Sequence, residues 1–200
     1  MSSDNPRDFE QWLKSITPLD PAFEFEAETA RLLRITASLA DYGVMLCSGV
    51  SALAYVPWLR DGMTMNSRLV IHLPPQSIQA QELLTQQTQA DIRVAGHIQN
   101  TAEFLDDISH HRMNLLLLEL SEDSLPSLPQ WQAILADNGL LVLLGNEEAL
   151  STLRDSHAEQ FFFASVPTLL SSTGVLLMSP KGLQHKTSRR GGRSRSKRRL

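Results

Sequence analysis

Short apolar runs alternate along this chain with stretches of helical period. Residues 44–47 form the first run, followed by a tight turn at Ser48-Gly49 and an apolar helix over 51–59. Residues 68–73 (RLVIHL) are the second run, closed by Pro74-Pro75, and 78–87 reads as helix. A short strand is predicted at 92–95, a helix at 101–108 with Thr101 as its N-cap, and a continuous apolar strand at 114–120 (NLLLLEL). Proline in the first turn opens a helix over 129–136. A strand at 140–144 (LLVLL) and a helix at 147–157 follow. The last two strands, 161–166 and 175–178, have only a loop between them. Upstream, 9–16 reads as a short helix that ends at Thr17-Pro18-Leu19-Asp20-Pro21, because proline disfavours helix in the residue before it. A longer helix is predicted over 23–39. There Ala30, Leu33 and Ala37 recur at helical spacing, and Leu32, Ile35 and Leu39 widen the stripe.

Five strand–helix alternations imply an open α/β sheet, mostly parallel, with helices on both faces. Uninterrupted apolar strands suit a sheet covered on both sides. The last connection is too short for a parallel crossover, so the final two strands should form an antiparallel hairpin. The expected architecture is a seven-stranded, Rossmann-like sheet. Ligands of such sheets bind at the carboxyl ends of the strands, where the first strand–turn–helix presents backbone N–H groups. Ser48, Gly49 and Ser51 are the candidates there.

Composition narrows the class. An apolar fraction of 42% and a charged fraction of 20% are those of an ordinary globular protein. The longest apolar runs fall far short of the roughly 20 residues that span a bilayer. Residues 1–12 show no basic region followed by an apolar one, so no secretory signal is expected. Cys47 is the one cysteine; an intrachain disulfide and a cysteine-cluster zinc site are both excluded, and a reducing cytoplasm is the expected location. Charge is divided unevenly. Residues 183–200 hold eight of the 18 basic residues and no acid, while all 22 acids lie in the rest of the chain. The expected organisation is a helical extension over 1–22, an α/β domain over 23–182 and a basic tail over 183–200, too poor in apolar groups to order in isolation.

Several segments carry a family likeness. EAETARLLRITASLADYGVMLCSGVSALAYVPWL reads as a lead-in helix, first strand and glycine loop. Pro74-Pro75 closes strand two, Ala95-Gly96-His97 follows strand three, NGLLVLL leads into strand five, and TGVLLMSP is the last strand. In this order and spacing, from about residue 26 to 180, they resemble the catechol-type O-methyltransferase family of the class I S-adenosylmethionine-dependent methyltransferases. The resemblance implies S-adenosylmethionine as cofactor, with its methionine end at the backbone of Ser48, Gly49 and Ser51, its ribose near His72 and its adenine near His97.

The motifs are degenerate. Gly49 matches the last glycine of the family loop, whereas Met45 and Cys47 stand in the places of the earlier two, where side chains would narrow the cofactor's space. His72 stands where the family has a ribose-binding acid; a neutral imidazole accepts one hydrogen bond where a carboxylate takes two hydroxyls. Metal-dependent members close strand four with an aspartate and follow strand five with an Asp-Asn pair. Glu119 matches the first, but Leu144-Gly145-Asn146 does not supply the second. One carboxylate makes a poor magnesium site, so no metal is expected. Glu119 is the candidate catalytic base. Each residue also has a plainer reading: Gly49 as the tight turn of any βα unit, His72 and His97 as strand-end histidines bonded locally, Glu119 as a solvated strand end, and Cys47 as buried and inert.

Two functions fit. One is an S-adenosylmethionine-dependent O-methyltransferase-like protein with a degraded cofactor loop, weakly active or inactive, acting on a small molecule. The other is a non-catalytic binding or assembly module of the same fold, with the lead-in helices serving a homodimer and the tail contacting nucleic acid. Arginines interleaved with Gly and Ser suit phosphate backbones, and such binding releases counterions. Deleting residues 183–200 is therefore expected to abolish retention on heparin or RNA at low salt. Unchanged retention would rule the tail out as a nucleic-acid contact.

Overall fold

A computed structural model describes residues 27–40, 42–75, 78–120, 127–166 and 173–181. The predicted helix at 9–16 and the basic tail lie outside the described residues. Helix α1 (Ala27–Leu39) leads into β1 (Val44–Ser48), a 3-10 turn (Ser51–Tyr55) and α2 (Val56–Gly62). Then follow β2 (Arg68–Leu73), α3 (Ile78–Ala90), β3 (Val94–Ile98), α4 (Thr101–Ile108), β4 (Met113–Glu119) and α5 (Leu128–Ala133). The chain continues with β5 (Leu135–Asn146), α6 (Glu147–Ser156), β6 (Phe161–Val166) and β7 (Thr173–Pro180).

The seven strands form one sheet in the order β3-β2-β1-β4-β5-β7-β6. Strands β1 to β5 are parallel to their neighbours, and β7 runs antiparallel to both β5 and β6. This is the sheet with a closing hairpin that the short last connection requires. Side-chain alternation divides the core between its faces. Met45, Cys47, Leu69, Ile71, Leu115, Leu117, Val142 and Leu144 point to the side covered by α1, the 3-10 turn and α2. Leu46, Leu116, Leu118, Leu141 and Leu143 point to the side covered by α4, α5 and α6 through Phe104, Trp131, Leu150 and Leu153. Among the described residues no helix is long and apolar enough to cross a membrane.

Element boundaries moved where tertiary contacts overrode local preference. The helix predicted to Ala136 stops at Ala133, since the Met113 N–H donates to the Ile134 carbonyl (2.8 Å) and Leu135 pairs with Met113, drawing the chain into β5. The strand predicted at 92–95 begins at Val94 instead. The Asp91 carboxylate accepts from the Arg93 N–H (2.9 Å), which makes a turn of 91–93 and leaves Ile92 fully exposed. Asn100, not Thr101, caps α4: its Oδ1 accepts from the Ala102 N–H at 2.9 Å. Asp61 and Gly62 belong to the end of α2 rather than to a turn beyond it.

Two contacts fix the amino end of the sheet. The Arg93 guanidinium donates to the Asp91 carboxylate and to the carbonyls of Met63 (3.0 Å) and Thr64 (2.9 Å), tying the start of β3 to the exit of α2. Hydrogen bonding to Arg93 holds the Asp91 carboxyl below its ordinary range. Helix α1 lies so close to the end of α2 that a Cβ on Gly62 would run into the Arg34 backbone carbonyl. Of the stripe predicted on α1, Ala30, Leu33 and Ala37 are buried, whereas Ile35 and Leu39 turn outward beside Arg31, Arg34 and Ser38, because the helix buries only a narrow face against α2.

Gly62→Ala is expected to destabilise the fold by about 3 kcal/mol, because the obstacle is backbone and the helices must separate. At Gly96 the added Cβ meets the tip of the Leu84 side chain (2.8 Å), which can turn away, so Gly96→Ala should cost clearly less. Urea unfolding of the two variants checks the ranking.

Candidate functional site

Strand order reverses between β1 and β4, and the carboxyl ends of strands at such a switch point are where ligands of this kind of sheet bind. Four of the sequence-predicted residues meet there or beside it. Gly49 follows β1 with φ of +106°, a conformation that L side chains rarely adopt. Glu119 ends β4 and folds against it: a Cβ on Gly49 would lie 2.5 Å from Glu119 Cβ and 2.6 Å from Glu119 Oε2. The glycine is thus required twice, by its backbone angle and by the carboxylate pressed on its open face.

Ser48 and His72 share the other face of the sheet. Their backbones are register partners, and Ser48 Oγ lies 2.9 Å from His72 Nδ1. The second ring nitrogen, Nε2, lies 3.0 Å from the Gln99 carbonyl oxygen. A carbonyl only accepts, so Nε2 carries the proton and Nδ1 accepts from the Ser48 hydroxyl. The His72 carbonyl also accepts from the Gly49 N–H (3.3 Å), and the Leu73 carbonyl from the Gln99 N–H (3.2 Å). One side chain therefore binds together the ends of β1, β2 and β3. It is fully buried and stacks on Phe104 of α4, centroids 4.3 Å apart and planes within 14°. Of the readings open to His72, local hydrogen bonding is the one this geometry displays.

Burial holds the His72 pKa below its ordinary 6.5; the bond to Gln99 opposes that shift, and the nearby His97 adds to it. His97, its register partner on β3, is exposed and lies 5.6 Å from the Phe104 ring. Ser51 opens the 3-10 turn, so the segment after Gly49 begins with tighter winding than the predicted α-helix.

The structure places Met45 and Cys47 in the core. Both were expected to narrow the space at the loop, yet both lie within β1 with fully buried side chains in the core under α1 and α2. Strand parity sets them on the same face as Gly49 and Glu119, and it is Glu119 that lies against the glycine. Burial pushes the Cys47 thiol well up, which suits an inert core residue. Asn146, at the end of β5, spends its Oδ1 on the Ala149 N–H (2.7 Å) as the N-cap of α6. Among the described residues no three His, Cys, Asp or Glu side chains gather to hold a metal ion. Sequence reasoning did not find Gln99 and Phe104, the two partners that lock His72. The apolar spacing of 101–108 placed Phe104 on a helix, but nothing in the sequence pointed it at a histidine.

Solved structures share this arrangement. An O-methyltransferase, TomG from Streptomyces achromogenes, involved in tomaymycin synthesis and solved in complex with S-adenosylmethionine, aligns with a TM-score of 0.68 at 14% identity, covering 91% of this chain and 92% of that one. An O-methyltransferase from Bacillus cereus, in complex with S-adenosylhomocysteine, aligns with a TM-score of 0.68 at 11% identity over 88% of this chain and 92% of that one. A methyltransferase from Geobacter sulfurreducens aligns at 0.62 and 17% identity over 90% and 91%. No protein-family model and no curated protein matches the sequence. At these identities the likeness shows the fold, which is that of the class I methyltransferases.

The depressed His72 pKa gives stability a pH dependence of definite sign. The unfolded chain takes up a proton near pH 6.5 while the folded ring resists it, so the unfolded state binds more protons below that pH. Stability should hold above about 6.5 and fall as the pH drops through the window from there to the lower folded value. His72→Gln should remove this part of the slope. It should also lower stability at pH 7.5 by about 1–3 kcal/mol, through lost stacking and a poorly satisfied Gln99 carbonyl. Urea denaturation at pH 5.5 and 7.5 checks both.

Proposed function

We propose that this chain is an S-adenosylmethionine-dependent O-methyltransferase-like protein whose cofactor crevice is partly filled by its own side chains, leaving a weak binding site and little or no turnover. The observation that carries the reading is Gly49. It sits at the switch point of a methyltransferase-type sheet with the positive φ of a cofactor turn, and the Glu119 carboxylate covers its open face.

The residues fit the cofactor in part. The turn at Ser48, Gly49 and Ser51 suits the methionine end, provided Glu119 swings aside. His97, exposed at the end of β3, is free to line the adenine side. His72 does not suit the ribose, since both ring nitrogens are engaged within the protein and the ring is fully buried. When bound, the cofactor supplies an electrophilic methyl group. The chain's own contribution would be alignment of a nucleophile in the crevice, with Glu119 as the nearest carboxylate able to take its proton.

Two features make binding weak. The ribose loses its charged partner, and turning Glu119 off Gly49 draws on the binding energy; a cost of about 1.4 kcal/mol alone would weaken affinity about ten-fold. Calorimetric titration with S-adenosylhomocysteine is expected to show saturable binding weaker than about 100 μM. Absence of heat at millimolar ligand would remove the cofactor from the reading and leave a non-catalytic module of the same fold.

A further inference from the structure

The most exposed large apolar side chains among the described residues stand together at the end of the sheet opposite Gly49. Leu39 at the end of α1, Tyr42 before β1, Met65 before β2 and Ile92 before β3 are 80%, 76%, 83% and 100% exposed. Hydrogen bonds hold their turns side by side. Ser67 Oγ donates to the Ala40 carbonyl (2.8 Å) and the Arg68 N–H to the Gly43 carbonyl (3.0 Å), joining the turns that carry Tyr42 and Met65. From the turn that carries Ile92, the Arg93 guanidinium reaches the Met63 and Thr64 carbonyls. Strands lie about 4.8 Å apart, so the row extends about 10 Å across β1, β2 and β3. Single exposed apolar residues need no explanation, but a row of them on adjoining turns marks a contact surface.

Charge identifies what the surface fits. The acids described at these turns are paired, Asp91 with Arg93 and Asp61 with Arg34, each at 2.6 Å. Arg60 and Arg68 bond instead to neutral partners, the Gln87 amide and the Ser67 carbonyl, which leaves the face positive. The antiparallel course of β7 brings a stronger cationic element to the same end. Pro180 pairs with Phe161 at the start of β6, and Ser179 Oγ donates to the Gly139 carbonyl ahead of the β5 ladder (3.4 Å). The chain therefore runs on past Lys181 beside the amino ends of the parallel strands, and residues 183–200 carry eight Lys and Arg and no acid. Strand β7 is three places from β1, about 15 Å, which about five extended residues span.

We propose that the amino end of the sheet is a docking face for an anionic lipid surface, with Leu39, Tyr42, Met65 and Ile92 entering the headgroup layer and the cations of 183–200 held against the lipid charges. Apolar tips gain by leaving water for the acyl boundary, and a run of cations is drawn to a negative leaflet; the two signals together anchor where either alone is marginal. A nucleic acid would engage the cations and leave the aliphatic tips in water. Gly49 follows the opposite end of β1, so the docked protein keeps its ligand end toward solvent. Docking of this kind does not depend on cofactor binding.

The test is co-sedimentation of the full chain with phosphatidylcholine vesicles, with and without about 30% phosphatidylglycerol, at about 50 and about 300 mM salt. The chain is expected to bind the anionic vesicles at low salt, to bind them less at high salt, and to bind pure phosphatidylcholine at least about ten-fold more weakly. Deleting residues 183–200 should remove most of the binding. Met65→Glu combined with Ile92→Glu should weaken it about ten-fold as well, while heparin retention and the urea midpoint stay unchanged. Full vesicle binding in that double variant would leave the tail acting alone and overturns the docking face. So does a wild-type chain that binds single-stranded RNA but not the anionic vesicles. Self-association that the double variant abolishes, seen by light scattering without vesicles, overturns it too, since the tips would then meet a second copy. If the double variant misfolds, Ile92→Trp decides: it should add an emission blue shift on addition of anionic vesicles, and no added shift overturns the proposal.

Discussion

The buried ring of His72 is the constraint around which the ligand end of this sheet is organised. A polar aromatic group taken wholly out of water must have both nitrogens satisfied. Ser48 and the Gln99 carbonyl satisfy them, and each comes from a different strand end. The Phe104 ring stacked on His72 then fixes α4 against the same spot. The position of the Gly49 turn follows, since its N–H is bonded to the His72 carbonyl. With the turn held there, the end of β4 brings Glu119 onto the glycine face, where any larger residue than glycine would collide. Crevice, turn and carboxylate are consequences of one buried histidine and its neighbours.

The sheet itself does not depend on that end. The strands are held by core packing on both faces, through residues such as Leu46, Leu115 and Leu117 that make no contribution to ligand chemistry. A carboxylate at the end of β2 would need a ligand or solvent for its charge. In its place stands a histidine that stays neutral when buried and finds its partners within the chain. His72 closes this end of the sheet with bonds inside the chain. Asn146 is likewise engaged within the chain at β5, where the polar side chain at the strand end serves the helix that follows it.

Much of the fold was legible because it rests on periodicity. Apolar runs at 68–73 and 114–120, helical spacing between them and a final loop too short for a crossover lead directly to the observed order of strands. Boundaries were less legible where a distant partner decided them, as when Met113 drew Leu135 into β5 or Asp91 made a turn of 91–93. The site was harder still. Strand parity alone would have placed Met45 and Cys47 in the core with Leu69 and Ile71, and put His72 on the opposite face with Leu46 and Leu116. What parity does not carry is the identity of the cross-strand partners. The Gln99 carbonyl and the Phe104 ring reach His72 only through the connection after β3.

The two polar groups at the crevice also differ in how readily they can yield. Moving His72 would break two hydrogen bonds and a ring stack, and would expose a cavity behind Phe104. Moving Glu119 asks for a side-chain rotation at a half-buried strand end and the loss of its own contact there, with water at hand to solvate the carboxylate. A ligand entering this crevice would therefore displace Glu119 and leave His72 in place. Its contacts would concentrate on the Gly49 side. On the β2 side it would meet a closed wall, with recognition there falling to exposed groups such as His97.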